Sequence, residues 1–308
     1  MALSRRSLCA APLGLAALAL PARAFGDDGF PLASVEPVLE PAPEVAPEPA
    51  PEPPAVDPGL ALINAYRAAA GAPPAAIHPA LQSAAVGQVQ YYDLNRGDAS
   101  LAGMGLHQQK ADRPGFTGAT MGERARNAGY GSGSVTENAG FGTIQSAIGW
   151  AINTVNHRLP LIHPSAVDMG YAVSGGPNGN GFNIIDVGLR RDRLAVDLPS
   201  VYPADGAIDV PGSWDGGEVP DPAPGVPRPL GYPITVAFGV YQRVEWVELS
   251  LYGADGNLLP VSTPKTDWMR AAAIIPHRPL LRGQSYTARV VATVDGRTVE
   301  KNWTFTTR

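Results

Sequence analysis

The chain has 308 residues, 44% of them hydrophobic, with 35 Gly, 32 Pro, one Cys and a formal net charge of -5. That apolar content supports real cores over about two domains and excludes a wholly disordered chain, and the glycines lack the three-residue period of a collagen. Cys9 falls inside the leader described next, so a mature chain would carry no disulfide, no thiolate nucleophile and no cysteine metal ligand.

Arg5 and Arg6 precede an apolar run over residues 8–20, and Ala22-Arg23-Ala24 follows it. A positive start, a short apolar stretch and a small-x-small site predict a cleaved secretory signal over 1–24. At about 13 residues the run is too short for the roughly 20 that span a bilayer, so no transmembrane segment is expected. The protein is expected to be secreted or periplasmic, exported by the Sec route or, given the paired arginines, the twin-arginine route. Residues 25–57 read as an acidic Pro/Glu-rich linker. Glu36, Glu40, Glu44, Glu48 and Glu52 recur among prolines with no apolar face, a composition suited to an extended polyproline II spacer. Beyond it acidic and basic residues balance, which leaves no field to gather nucleic acid.

Asp57-Pro58 predicts a helix start, Leu60, Ile63 and Tyr66 continue it at helical spacing, and Gly71 stops it. A second helix is expected from Pro79, with Leu81, Ala84, Ala85 and Tyr92 on one side. The pair Thr120 and Glu123 forms a capping box for a third, closed by Gly129. From Thr143 the stripe Ile144, Ala147, Ile148, Ala151, Ile152 and Val155 predicts a fourth helix that Pro160 ends. Residues 169–173 and 182–189 read as a hairpin. Its glycine-rich turn is not a phosphate loop, because strand leads to strand rather than to a helix. After a charged bridge at 190–198 the pattern turns to short β-branched runs (234–238, 244–252, 271–275, 286–294, 298–306) separated by turns such as Asp255-Gly256 and Asp295-Gly296. An all-β sandwich is expected over 199–308, with Trp246, Trp268 and Trp303 pinning its core.

Several segments of the first domain, 58–198, together resemble the CAP superfamily (cysteine-rich secretory, antigen-5 and pathogenesis-related proteins), in its bacterial SCP-like branch. They are residues 63–71 and 79–85, Gly105-Leu106-His107, Thr136-Glu137-Asn138-Ala139, Gly149-Trp150, Asn156-His157-Arg158 and Asp168-Met169-Gly170-Tyr171-Ala172. The resemblance implies an α/β/α sandwich with a central antiparallel sheet, and so an α+β chain overall. Residues 199–308 resemble a bacterial Ig-like sandwich, through 202–206, 281–286 and 303–307. In the CAP family two histidines and two glutamates converge in an open cleft that takes a divalent cation. By position His107, Glu137 and His157 match three of them, Asn153 stands where the other glutamate is expected, and Thr136 replaces the motif glycine. The implied site for Zn2+ or another divalent cation is therefore incomplete and weak.

From the residues themselves, Trp150, Asn153 and His157 are spaced i, i+3, i+7 and would share a face that diverges from Ile144, Ile148 and Ile152. His107 and Glu137 are expected in loops on either side of the third helix. Two imidazoles and one carboxylate suffice for zinc with an open position. Equally, they can hydrogen-bond one another and the backbone with no metal at all. His163 and His277, each beside a proline, are expected as exposed turn residues, and His78 as a structural N-cap. Hydrolysis finds little support: there is no Gly-x-Ser-x-Gly elbow, no mature cysteine and no evident carboxylate pair. Two functions follow. One is an extracytoplasmic binding module for a small apolar or cell-envelope ligand; the alternative is a metal-dependent hydrolase acting on peptides or wall components.

Overall fold

The N–H groups of Gly59 and Leu60 donate to the Asp57 carboxylate, and with Pro58 in the first turn this cap sets α1 (Pro58–Ala69). The computed structural model describes residues 57–131, 133–190 and 198–308; the expected leader, the spacer up to residue 56 and the bridge at 191–197 lie outside them. Gly71, at φ 76°, ends the first helix in the left-handed region that glycine tolerates. A short strand β1 (Ala76–Ile77) leads to α2 (Pro79–Leu94), whose N-cap is His78: the Ala80 N–H donates to its Nδ1. A 3-10 helix, Gly103–His107, and α3 (Met121–Asn127) follow, the latter capped by Thr120 as its box predicts. Then come β2 (Gly133–Gly142), α4 (Ile144–Ile152), α5 (Arg158–Ile162), β3 (Ala166–Val173) and β4 (Gly181–Arg190).

The four strands pair in the order β1-β3-β4-β2, antiparallel except for the parallel β1–β3 edge. Side chains alternate across the sheet, so the two faces carry different cores. Ile185, Val187, Leu189 and Met169 pack with Ile63, Ile144, Ile148 and Ile162 of α1, α4 and α5. On the other face Phe182 and Ile184 pack with Ala85 and Val89 of α2. The sheet therefore lies between two helical layers. Where α2 crosses β3 the backbones nearly touch: a Cβ on Gly170 would lie 2.2 Å from the Leu81 carbonyl carbon.

Two expectations here need correction. The fourth helix does not run to Pro160. It stops at Ile152, with Asn153 as its C-cap, and Pro160 sits inside α5. Trp150, Asn153 and His157 therefore do not share one helical face. Glu137, expected in a loop, lies in strand β2.

The C-terminal part begins with β5 (Ser200–Tyr202), β6 (Ala207–Val210), β7 (Ser213–Trp214), β8 (Leu230–Gly231) and β9 (Ile234–Ala237). It continues with β10 (Val244–Tyr252), β11 (Val261–Ser262), β12 (Lys265–Thr266), β13 (Ala271–Pro276), β14 (Ser285–Val294) and β15 (Arg297–Thr307). Two sheets, β10-β14-β15-β6 and β11-β13-β9-β5, enclose a core that includes Phe238, Ile274, Val290, Trp303 and Phe305, a β sandwich. Trp303 is buried there and Trp246 packs against its edge. Trp268, expected in the core, is instead 58% exposed in a 3-10 turn. Asp295 (φ 50°) and Gly296 (φ 82°) make the expected tight β14–β15 turn.

Strands β9 and β13 are buried on both faces, because their outer face meets the first part of the chain. Ala237, Ala271, Ala273 and Ile275 join one apolar cluster with Ile144, Leu161 and Ile162. Residue 54 to the C-terminus is accordingly one compact unit.

Candidate functional site

Strand β2 is the edge of its sheet, and its consecutive residues Glu137 and Asn138 face opposite sides. Each holds one of the two histidines. Glu137 Oε1 receives His107 Nδ1 at 2.8 Å, and its other oxygen pairs with Arg124 Nη2. Asn138 Nδ2 donates to the His157 carbonyl at 2.8 Å. Arg124 is carried on α3, fully buried, and also donates to the His107 carbonyl at 3.1 Å. Because Glu137 already answers a guanidinium, it accepts from the imidazole, so the tautomer it favours at the neutral His107 ring carries the proton on Nδ1.

Across the strand pair from Glu137 lies Asp186, fully buried, with neither oxygen in a well-formed hydrogen bond. Burial, and then the adjacent Glu137 carboxylate, hold its acid well above the usual carboxylate range, with Arg124 pulling the other way. Of the two facing carboxyl groups, Asp186 is thus the one held toward its protonated form.

The second histidine is held by a residue that no motif singles out. After α4 ends, the turn to α5 aims three N–H groups at Glu218, those of Val155 and Asn156 at 2.7 Å and that of His157 at 3.3 Å. The same carboxylate receives His157 Nδ1 at 2.9 Å. Although burial opposes it, the imidazole and these N–H groups keep Glu218 below its usual range. Glu218 comes from the loop between β7 and β8, on the far side of the bridge. In the sequence the pair Gly216-Gly217 before it marks a turn, and both residues take positive φ in the fold.

Trp150, 47% exposed, lies edge-on to the His157 ring with centroids 4.5 Å apart. Asn153 is elsewhere: its Nδ2 donates to the Gly149 carbonyl at 2.7 Å and its Oδ1 accepts from the Tyr232 hydroxyl at 2.9 Å. It belongs to the seam between the two parts of the chain. His163 is likewise no exposed turn residue but fully buried, with Nε2 donating to the Met269 carbonyl at 2.7 Å and Nδ1 accepting from the Ser165 N–H. His277 is half-buried, with Nε2 3.0 Å from the Ser262 hydroxyl.

These donors fit a tightly held cation poorly. Both Glu137 oxygens are taken by His107 and Arg124, and both Glu218 oxygens by backbone N–H groups and His157, which leaves two imidazole nitrogens. Among the described residues no three His, Cys, Asp or Glu side chains are grouped to hold a metal ion.

A separate hollow of about 570 Å³ opens beside α2, lined by Ile77, Val86, Val89, Ile144, Tyr171 and Val173 among others. None of the five residues expected at the cleft lines it. A larger hollow of about 1110 Å³ on the sandwich is walled mostly by loops, including Pro227, Arg228, Arg278 and Leu281. No described helix is long and apolar enough to cross a membrane.

A three-layer α+β domain whose edge strand holds two carboxylate-bound histidines is the class that this fold and site define. Residues 60–186 match the CAP family, described as the cysteine-rich secretory protein family, and this stretch is a CAP domain. No curated protein matches the chain. Among solved structures, an extracellular protein containing an SCP domain from Bacillus anthracis str. Ames is 19% identical, over 43% of this chain and 39% of its own length, with a TM-score of 0.33. CopC from Methylosinus trichosporium OB3b is 18% identical, over 36% of this chain and 91% of its own, with a TM-score of 0.25.

Proposed function

We propose that the protein is an exported, non-catalytic binding module that holds a small apolar ligand, free or drawn from the cell envelope. The hollow of about 570 Å³ beside α2 carries this reading. It falls within the size of small-molecule sites, and most of its lining comes from helices and strands, with the turn at 175–178 completing it. Several polar groups that line it are already engaged: Gln82 bonds the Tyr171 backbone at both ends of its amide, the Tyr171 hydroxyl meets Asp57, and Asp93 accepts from the Ser174 hydroxyl. The other polar lining side chains, Gln90, Gln145 and Asn178, are exposed to water. The expected leader and the acidic Pro/Glu-rich composition before residue 57 support export, and we read the sandwich as an Ig-like domain that accompanies the CAP domain outside the cytoplasm.

Decanoic acid titrated by calorimetry into the mature full-length chain tests the reading. Val86 is partly exposed at the rim, so Val86→Trp fills the hollow without disturbing the core and should weaken binding tenfold or more, whereas His157→Ala should not. Equal binding by Val86→Trp would remove the hollow as the site. Release of soluble fragments from peptides or isolated cell wall, abolished by His107→Ala or His157→Ala, would favour the hydrolase.

A further inference from the structure

We infer that Glu218, supplied by the C-terminal part, is the positioning residue for His157, so that the histidine site is built by both parts of the chain. The two histidines are held in the same way from different sources. In each, Nδ1 faces a carboxylate at 2.8 or 2.9 Å, the carboxylate side chain is wholly buried, and the imidazole keeps 15% of its side-chain surface exposed. For His107 that carboxylate, Glu137, comes from the sheet of the same domain. For His157 the CAP domain supplies none: Asn153 is turned to Tyr232, and the carboxylate arrives 61 residues later.

The cradle leaves Glu218 little freedom. Three successive N–H groups fix both oxygens, and the neighbouring Asn156 Nδ2 donates to the Pro220 carbonyl at 2.8 Å, which ties the loop on the other side. An anion locked by backbone donors accepts from the ring rather than donating to it, so the tautomer it imposes on the neutral His157 ring carries the proton on Nδ1. In that tautomer both imidazoles present the Nε2 lone pair. The other histidines whose bonding fixes the tautomer are of the opposite kind: at His78 and His163 an N–H donates to Nδ1, which leaves the proton on Nε2. Glu218 thus does more than fasten two parts together, and this conclusion does not rest on the apolar hollow.

Ring nitrogen tautomers can be read in long-range 1H–15N correlation spectra of the labelled mature chain at pH 7.5. His107 and His157 should show the Nδ1–H pattern, His78 and His163 the Nε2–H pattern. Glu218→Ala should lose the pattern at His157 alone, and Glu218→Gln, whose side-chain oxygen still accepts, should restore it. A purely structural clasp would leave the His157 tautomer unmoved in Glu218→Ala while the other three signals stay in place, and that result overturns the inference. Should the alanine chain fail to fold, the unmodified chain decides. An Nδ1–H proton with a cross-peak to the Glu218 methylenes supports the inference, and an Nε2–H tautomer at His157 refutes it.

Discussion

Two buried titratable groups turn local bonding into pH dependence of the whole protein. His163 sits where nothing charged can be solvated, and burial drops its pKa from 6.5 to about 4, the bond to the Met269 carbonyl opposing only in part. An unfolded chain takes up a proton near 6.5 while the native ring waits until about 4. The stability it carries is therefore whole above pH 6.5 and falls as the pH drops through that window, by roughly 3 kcal/mol. Urea midpoints measured from pH 7.5 to 4 should show the fall, and His163→Gln, whose amide still donates toward Met269, should remove most of it; an undiminished fall would assign it to other groups. Asp186 has the opposite sign. Its unfolded acid ionises near 3.8 and its native acid far higher, so stability present below 3.8 erodes as the pH rises. Asp186→Asn, which keeps the shape without the charge, should be at least as stable as the parent at pH 7.5, the difference closing toward pH 3.5. A loss above about 1 kcal/mol at pH 7.5 would mean that Asp186 is ionised and bonded.

At the level of elements, strong periodicity and strong caps were legible and mixed composition was not. The capped starts at Asp57, Thr120 and Thr143, the hairpin of β3 and β4, and the long strands β10, β14 and β15 all follow from pattern. Strand β2 was missed because it reads Gly-Ser-Val-Thr-Glu-Asn-Ala-Gly-Phe-Gly, glycine-rich and polar, with its shape imposed by pairing to β4. Its loss from the sequence reading also misplaced Glu137. The apolar stripe through Val155 overran the end of α4 because Val155 is buried in the turn, held by Glu218, where periodicity carries no information. Of the site, the His107–Glu137 contact was legible through the family resemblance, the shared helical face expected for Trp150 and His157 was not what brings those two rings together, and Arg124, Asp186 and Glu218 depend on contacts that only the folded chain makes. Packing of α2 on β3 gives a direct test: a methyl at Gly170 collides with helix backbone that cannot rotate away. Gly170→Ala should cost at least about 3 kcal/mol in urea denaturation, and a cost below about 1 kcal/mol would mean that α2 is free to lift from the sheet.

Across the whole molecule, the boundary at 198/199 marks a change of pattern that one apolar cluster runs across. Residues 271–276, Ala-Ala-Ala-Ile-Ile-Pro, lack the alternation of a half-exposed strand, and the reason is that the CAP domain covers their second face. Arg158 crosses the same seam, donating to the Ile152 carbonyl at 2.6 Å and to the Pro233 carbonyl at 2.7 Å, with its guanidinium 4.6 Å from the Tyr202 ring centroid. The sandwich nevertheless has a core of its own around Trp303 and Phe305, so residues 199–308 expressed alone should fold with β-type circular dichroism. They would do so with Trp214, Leu230, Ala271 and Ile275 uncovered, an apolar surface that water and dye can reach. The fragment should therefore bind 1-anilinonaphthalene-8-sulfonate and unfold at lower urea than the full chain, which itself should unfold in one transition because its parts share a cluster. Two resolved transitions in the full chain, with the later one matching a dye-silent fragment, would show that the halves are independent and that the seam adds nothing to stability.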